Sequence, residues 1–281
     1  MGNTFIFNAV ALSFTQRLEA GCRDKNNSLC IGLDINPDKF PSGMDTTLSG
    51  MESFGKDVID GTIDFCPVYK PNFAFFERFG SQGYALLERL VAHINGRAIV
   101  IADAKRGDIG NTSRQYASAI LDGMGCDAIT ISPYMGRDAI KPFIENTAKG
   151  VFILAVTSNP SASEIQEYEN QSNPLYKKVI QIAMELNSNE NIGLVIGATK
   201  NKVMKEVKEL SNGIPWLIPG VGTQGGDLEN ALKISHENGI GIINVSRGIL
   251  YAGNGSLNDV IQSAIHYTEK IRSIVWNPIS C

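Results

Sequence analysis

The sequence predicts an α/β fold, a single (β/α)8 TIM barrel, on three observations. Eight short apolar, β-branched runs alternate with longer segments of helical spacing. No linker, internal repeat or low-complexity tract interrupts the alternation. The first run leads into Leu33-Asp34-Ile35-Asn36-Pro37, not the glycine-rich fingerprint that an open doubly wound sheet usually carries there. At 281 residues and 43% hydrophobic, the chain is long and apolar enough for one barrel with a large core, so residues 1–281 read as one domain.

Residues 1–27 precede the barrel as a helical extension. Phe5 to Phe14 is apolar, yet it is too short to span a bilayer. No basic segment precedes it and no small-residue cleavage site follows, so it reads as a helix packed on the body. Ile6 stands where a myristoylation signal needs Ser or Thr. The strands follow in order: Leu29–Leu33, Phe65–Tyr69, Ala98–Ala102, Ala128–Ile131, Val151–Val156, Ile192–Ile196, Trp216–Ile218 and Ile240–Val245. Helices fall near 51–63, 81–95, 111–124, 138–148, 175–187, 200–211, 227–238 and 257–274. Leu86, Leu87, Leu90, Val91 and Ile94 form the one-sided stripe that packs a helix on a sheet. Long loops follow strands 1 and 5, near 36–50 and 158–173. The second lies on the face where barrels hold their active sites and is a candidate lid.

Composition excludes some roles. A net charge of −4 provides no field to recruit nucleic acid or an anionic membrane. The five cysteines are dispersed without metal spacing and read as reduced thiols of a cytoplasmic protein. His93, His236 and His266 fall in helices, where helix surface is the expected role, and no metal site is expected.

The strand ends carry the chemistry. Asp103 and Lys105 are two apart, so they project to one side from the end of strand 3, and Asp108 follows in a loop flanked by Gly107 and Gly110. Strand 1 ends in Asp34; strand 2 ends in Lys70, with Asn72 two positions on; strand 5 ends in Thr157-Ser158-Asn159. Singly, each has a structural excuse: Asp34 a loop cap, Lys70 a snorkelling side chain. Together, two lysines and two acids meet in one mouth, where unpaired charge is too costly to be incidental. Strand 7 runs into Pro219-Gly-Val-Gly222-Thr-Gln224-Gly-Gly226 and strand 8 into Ser246-Arg247-Gly248. Glycine-rich turns free backbone N–H groups for an anion, and an arginine fork matches phosphate, at the two loops where barrels commonly bind it.

These residues resemble a known family. Asp103-Ala-Lys105-Arg-Gly-Asp108-Ile109 with Thr112 is similar to the signature of orotidine 5′-monophosphate decarboxylase. Leu33-Asp34, Lys70-Pro-Asn72, the strand-7 turn and Ser246-Arg247-Gly248 occur in the family's order. Ser132-Pro-Tyr-Met-Gly136 and Thr157-Ser-Asn159 look like a branch with many bacterial and some protozoan enzymes. The resemblance implies that Lys105 protonates C6 of the pyrimidine and that Asp103 sits beside the departing carboxylate. Lys70 and Asp108 complete an alternating array. Asp34 and Asn72 contact the ribose, Ser158 the pyrimidine, Gln224 and Arg247 the phosphate. Ile109, Thr157, Pro219, Gly222, Ser246 and Gly248 complete the implied substrate-binding set. It further implies no cofactor and a homodimer in which Asp108 and Thr112 reach the neighbouring site. The chain is expected either alone or fused to orotate phosphoribosyltransferase. The rivals are a Mg2+-dependent sugar-phosphate decarboxylase or aldolase of the same superfamily, and an inactive nucleotide-binding barrel.

Overall fold

The computed structural model describes residues 12–170, 173–221 and 226–276. Eight parallel strands close on themselves: β1 (Leu29–Leu33), β2 (Val68–Pro71), β3 (Ile99–Arg106), β4 (Ala128–Ile131), β5 (Gly150–Val156), β6 (Ile192–Ile196), β7 (Trp216–Ile218) and β8 (Gly241–Val245). Each pairs with its sequence neighbour, and β1 meets β8 with Leu29 opposite Ile243. Among the described residues, no helix is long and apolar enough to cross a membrane.

Two cores result from the alternation of side chains along each strand. The larger lies between strands and outer helices. The smaller joins Cys30, Val68, Ile101, Phe152, Val195, Leu217 and Ile242, from seven strands, to Phe14, Leu18 and Cys22 of helix α1 (Phe14–Asp24). This helix plugs the amino-terminal end of the barrel. Ser13 and Gln16 form a capping box at its start. The Phe14 ring packs edge-on against Phe152, with centroids 6.0 Å apart, and burying such a ring stabilises by about 1.5–3 kcal/mol. Arg17 pairs with Asp127, whose other oxygen accepts from the Val100 N–H at 2.9 Å. The expected helix over Phe5–Phe14 falls largely outside the described residues; the helix that packs on the body is α1.

Two strands depart from the sequence reading by more than one residue. Phe65 and Cys66 belong to the turn that closes the preceding helix, their N–H groups donating to Thr62 O at 3.2 and 2.9 Å. Pro67 has no N–H to give, so β2 starts at Val68 and Lys70 lies inside it. The third strand runs on past Ala102 to Arg106, carrying Asp103 and Lys105 within it. The sharp backbone feature is at Lys105 itself, with φ +47°, not at the glycines around Asp108. The four described cysteines are buried and unpaired. His236 departs from the expected helix-surface role: it lies against Ser28 Oγ at 3.3 Å and the Trp276 ring, and burial pushes its pKa down to about 4.

Candidate active site

The site is one layer of side chains above the plugged core. Lys70, Asp103, Leu154 and Asn244 each lie two residues beyond an interior side chain, respectively Val68, Ile101, Phe152 and Ile242. Thr130 stands in the same relation to Ala128. Period two therefore aims all five into the barrel mouth at the carboxyl ends of the strands.

Asp103 is the centre of this layer. Its Oδ2 accepts from Lys70 Nζ at 2.7 Å and its Oδ1 from Lys105 Nζ at 2.5 Å. The Thr130 hydroxyl donates to the same Oδ1 at 3.1 Å. The Lys70 and Asp103 side chains are 5% and 11% exposed, whereas Lys105 is 51% exposed and free to meet a ligand. Burial alone would raise the Asp103 carboxyl; the two ammoniums overcome it and hold it well below the usual carboxylate range. Burial likewise opposes the charge on Lys70, but Asp103 and then Asp34 keep it raised above an ordinary lysine.

Two cavities meet at Asp103 and Pro219. One, about 250 Å3, presents Lys70, Asp103, Lys105 and Thr130 together with apolar Leu154, Val195 and Leu217, and its rim includes Thr157, Ser158 and Asn159. A charged end and an apolar wall suit a flat, polar-edged ring. The other, about 150 Å3, is lined by Asp34, Asn244, Ser246, Arg247 and the Pro219–Val221 backbone. Asp34 Oδ1 is buried without a hydrogen-bond partner, an acceptor left for a ligand hydroxyl. Its backbone is fixed: the Tyr251 hydroxyl donates to Asp34 O at 2.9 Å and accepts from the Asn36 N–H at 2.7 Å. Gly32 lets Ser246 approach, since a Cβ there would stand 1.9 Å from Ser246 Oγ.

The comparisons with known proteins agree. The model of the orotidine 5′-phosphate decarboxylase / HUMPS family matches residues 27–257. The chain belongs to this family. A curated orotidine 5′-phosphate decarboxylase of Dehalococcoides mccartyi is 44% identical over 271 residues, covering 94% of this chain and 97% of that protein. The solved OMP decarboxylase of Leishmania donovani is 33% identical with a TM-score of 0.81, covering 94% of this chain and 99% of that one. The UMP synthase of Leishmania donovani is 34% identical with a TM-score of 0.85; the match covers 96% of this chain but 58% of that one.

In this orotidine 5′-phosphate decarboxylase family barrel, the sequence-derived set divides. Lys70, Asp103, Lys105, Thr157, Ser158, Pro219, Asp34, Ser246 and Arg247 line the two cavities. Asn72, Asp108, Ile109, Thr112 and Gly248 line neither. Asn72 Oδ1 accepts from the Ala74 N–H at 3.3 Å, where the chain turns into a short helix. Asp108 Oδ1 accepts from the Ile109 N–H at 2.7 Å, and Ile109 and Thr112 face outward on the rim. Gly222 and Gln224 lie outside the described residues.

The structure adds residues that the motifs did not offer: Thr130, Asn244 and Gln166. The first two had a signal, a polar residue at an interior position of an apolar strand, in Ala-Ile-Thr-Ile and Gly-Ile-Ile-Asn-Val. Gln166 had none. Its Oε1 accepts from the Thr157 N–H and its Nε2 donates to Thr157 Oγ1, both at 2.8 Å. The loop after β5 is thereby clamped to the strand end it leaves. Lys200 on the neighbouring loop pairs with Glu167 at 2.8 Å.

Proposed function

We propose that this chain converts orotidine 5′-monophosphate to UMP and CO2, the last step of de novo pyrimidine nucleotide synthesis, as a cytoplasmic single-domain barrel enzyme. The observation that carries the reading is the Lys70–Asp103–Lys105 array, two ammoniums on one buried carboxylate, in a chain 44% identical to an orotidine 5′-phosphate decarboxylase. The difficulty of the reaction is the electron pair left on C6 when the bond to the carboxylate breaks. The ring offers that pair no electron sink. The Lys105 ammonium stabilises the pair as it forms and gives it a proton, while the carboxylate leaves as CO2. Asp103 opposes the substrate carboxylate in the ground state, a smaller contribution.

The remaining residues bind. Asp34 and Asn72 take the ribose, and Thr157 and Ser158 the pyrimidine. Arg247, with Gln224, Gly222, Pro219, Ser246 and Gly248, holds the phosphate. Phosphate binding is remote from the bond that breaks, and helps to hold the 158–173 loop closed. The working unit is a homodimer: Asp108 and Thr112 stand on the rim of one chain and reach the site of a second copy. The longer UMP synthase relative fits a fusion with the phosphoribosyltransferase that supplies the substrate.

The family model also spans HUMPS enzymes, which the resemblance associates with Mg2+. Both Asp103 oxygens are already taken by ammonium groups, so that carboxylate is not open to a metal. Turnover followed by ultraviolet absorbance, with and without EDTA, tests the reading. The expected outcome is EDTA-insensitive loss of orotidine 5′-monophosphate, and a Lys105→Ala variant that folds but loses about 10³-fold or more in kcat/KM. A wild-type chain without turnover, or a Lys105→Ala variant near normal, would overturn it.

A further inference from the structure

Lys105 reaches Asp103 because the strand that carries both is bulged. β3 and β4 pair in register as far as Ala102 opposite Ile129, and pairing resumes at Arg106 opposite Ile131. Four steps along β3 thus match two along β4, and the two extra residues fall within Asp103–Lys105. Such a bulge bends the strand and re-aims its side chains. Here it bends through Lys105, whose φ of +47° places a long L side chain in the left-handed region. That conformation persists only where surrounding contacts hold it. Bulged residues also lose their ladder partners, and their backbone groups need others.

Two side chains supply those partners. Thr130 Oγ1 accepts from the Lys105 N–H at 3.0 Å and donates to Asp103 Oδ1 at 3.1 Å. One hydroxyl thus joins the backbone of one residue to the carboxylate of the other. On the far side, Arg106 Nη1 donates to Ala104 O at 3.1 Å. The Arg106 guanidinium is itself fixed by Glu77 and by the Tyr84 hydroxyl at 3.0 Å, and lies against the rings of Phe73 and Tyr116. The ladder closes beyond the bulge with Ser132 N–H donating to Arg106 O at 2.8 Å.

We infer that Thr130 and Arg106 are positioning residues that hold the β3 bulge and thereby set the Lys105 ammonium against Asp103 and the reacting carbon. The inference rests on Lys105 being the proton donor of the proposed reaction. Thr130→Val removes the hydroxyl and keeps the shape. It is expected to lower kcat on the order of 10²-fold, the effect of misplacing a reacting group by about 1 Å. KM and the affinity for UMP stay close to wild type, because the ribose and phosphate contacts are untouched. Thr130→Ser restores kcat. Arg106→Met lowers kcat per folded molecule in the same way, and the double variant loses less than the product of the two single effects, since both act on one bulge.

Amide hydrogen exchange at Lys105 gives a readout independent of turnover: protected in the wild type, fast in Thr130→Val. In an active wild type, a Thr130→Val variant with unchanged kcat, or a Thr130→Ser variant as slow as Thr130→Val, would sink the inference. Wild-type inactivity would refute the decarboxylase reading alone. Exchange at Lys105 would then still decide whether Thr130 holds the bulge, and unchanged protection would refute that too.

Discussion

Asp103 has a demanding position. It is buried, ionised and shared between two ammoniums, one of them buried with it. Removing its charge leaves Lys70 without its nearest counter-ion in the interior. Asp103→Asn should therefore lose about 3–5 kcal/mol of unfolding free energy in urea titrations. Lys105→Ala should lose far less, because that side chain is 51% exposed. The pH dependence follows from the two directions. The depressed Asp103 carboxyl contributes stability that is fully present above its unfolded pKa of about 3.9 and is lost as pH falls toward its lower folded value. The raised Lys70 contributes stability that is present below about 10.4 and lost as pH rises through its higher folded value. Neither group titrates between, so the difference between wild type and Asp103→Asn should be constant from about pH 5 to 9 and shrink below about 4. A difference that peaks near neutral pH would contradict this account. Asp103, Lys105 and Lys70 were legible in the sequence because charge at the end of an apolar run is conspicuous. Thr130 carried only the weaker signal of polarity at an interior position, because a threonine suits a strand whether or not its hydroxyl is used.

At the scale of elements, the loop after β5 is held by its own glutamine. Gln166→Leu keeps the volume and removes both hydrogen bonds to Thr157. A loss of about 1.4 kcal/mol in placing the Thr157–Asn159 rim corresponds to a fall of about tenfold in kcat/KM for orotidine 5′-monophosphate. An unchanged value would show that the rim is set elsewhere. One candidate is Gly197 at the end of β6, where a Cβ would stand 2.8 Å from the Ser158 nitrogen. The sequence placed all eight strands, and its errors of more than one residue fell in two of them. β2 began later because Pro67 interrupts the ladder and the turn closing the helix before it takes up the Cys66 N–H. β3 ran longer because pairing with β4 resumes beyond the bulge. Both depend on hydrogen bonds to other segments, which local propensity does not contain.

For the whole molecule, one chain provides a plugged barrel with a charged mouth, and leaves apolar residues around that mouth in water. Ile109 is 61% exposed and Tyr134 is 86% exposed. Covering such residues is a normal reason for association. The proposed dimer should therefore be broken by Ile109→Asp combined with Tyr134→Glu, giving a monomer in sedimentation velocity and a large loss of kcat/KM. A wild type that sediments as a monomer and is fully active, or a variant that stays active as a monomer, would remove Asp108 and Thr112 from the site.

The sequence alone determined the architecture and the charged set. The periods of 2 and 3.6 are local, and eight alternations of them close into a barrel whose strand ends converge. Lys70, Asp103, Lys105 and Arg247 follow from that convergence. The tertiary structure alone decided how the set is held: the bulge at Lys105, the hydroxyl of Thr130 and the guanidinium of Arg106 behind it, and the unpartnered oxygen of Asp34; it also decided the half-burial of His236. Each depends on which atoms of distant segments come within hydrogen-bonding distance, and that is fixed only when neighbouring strands settle their register.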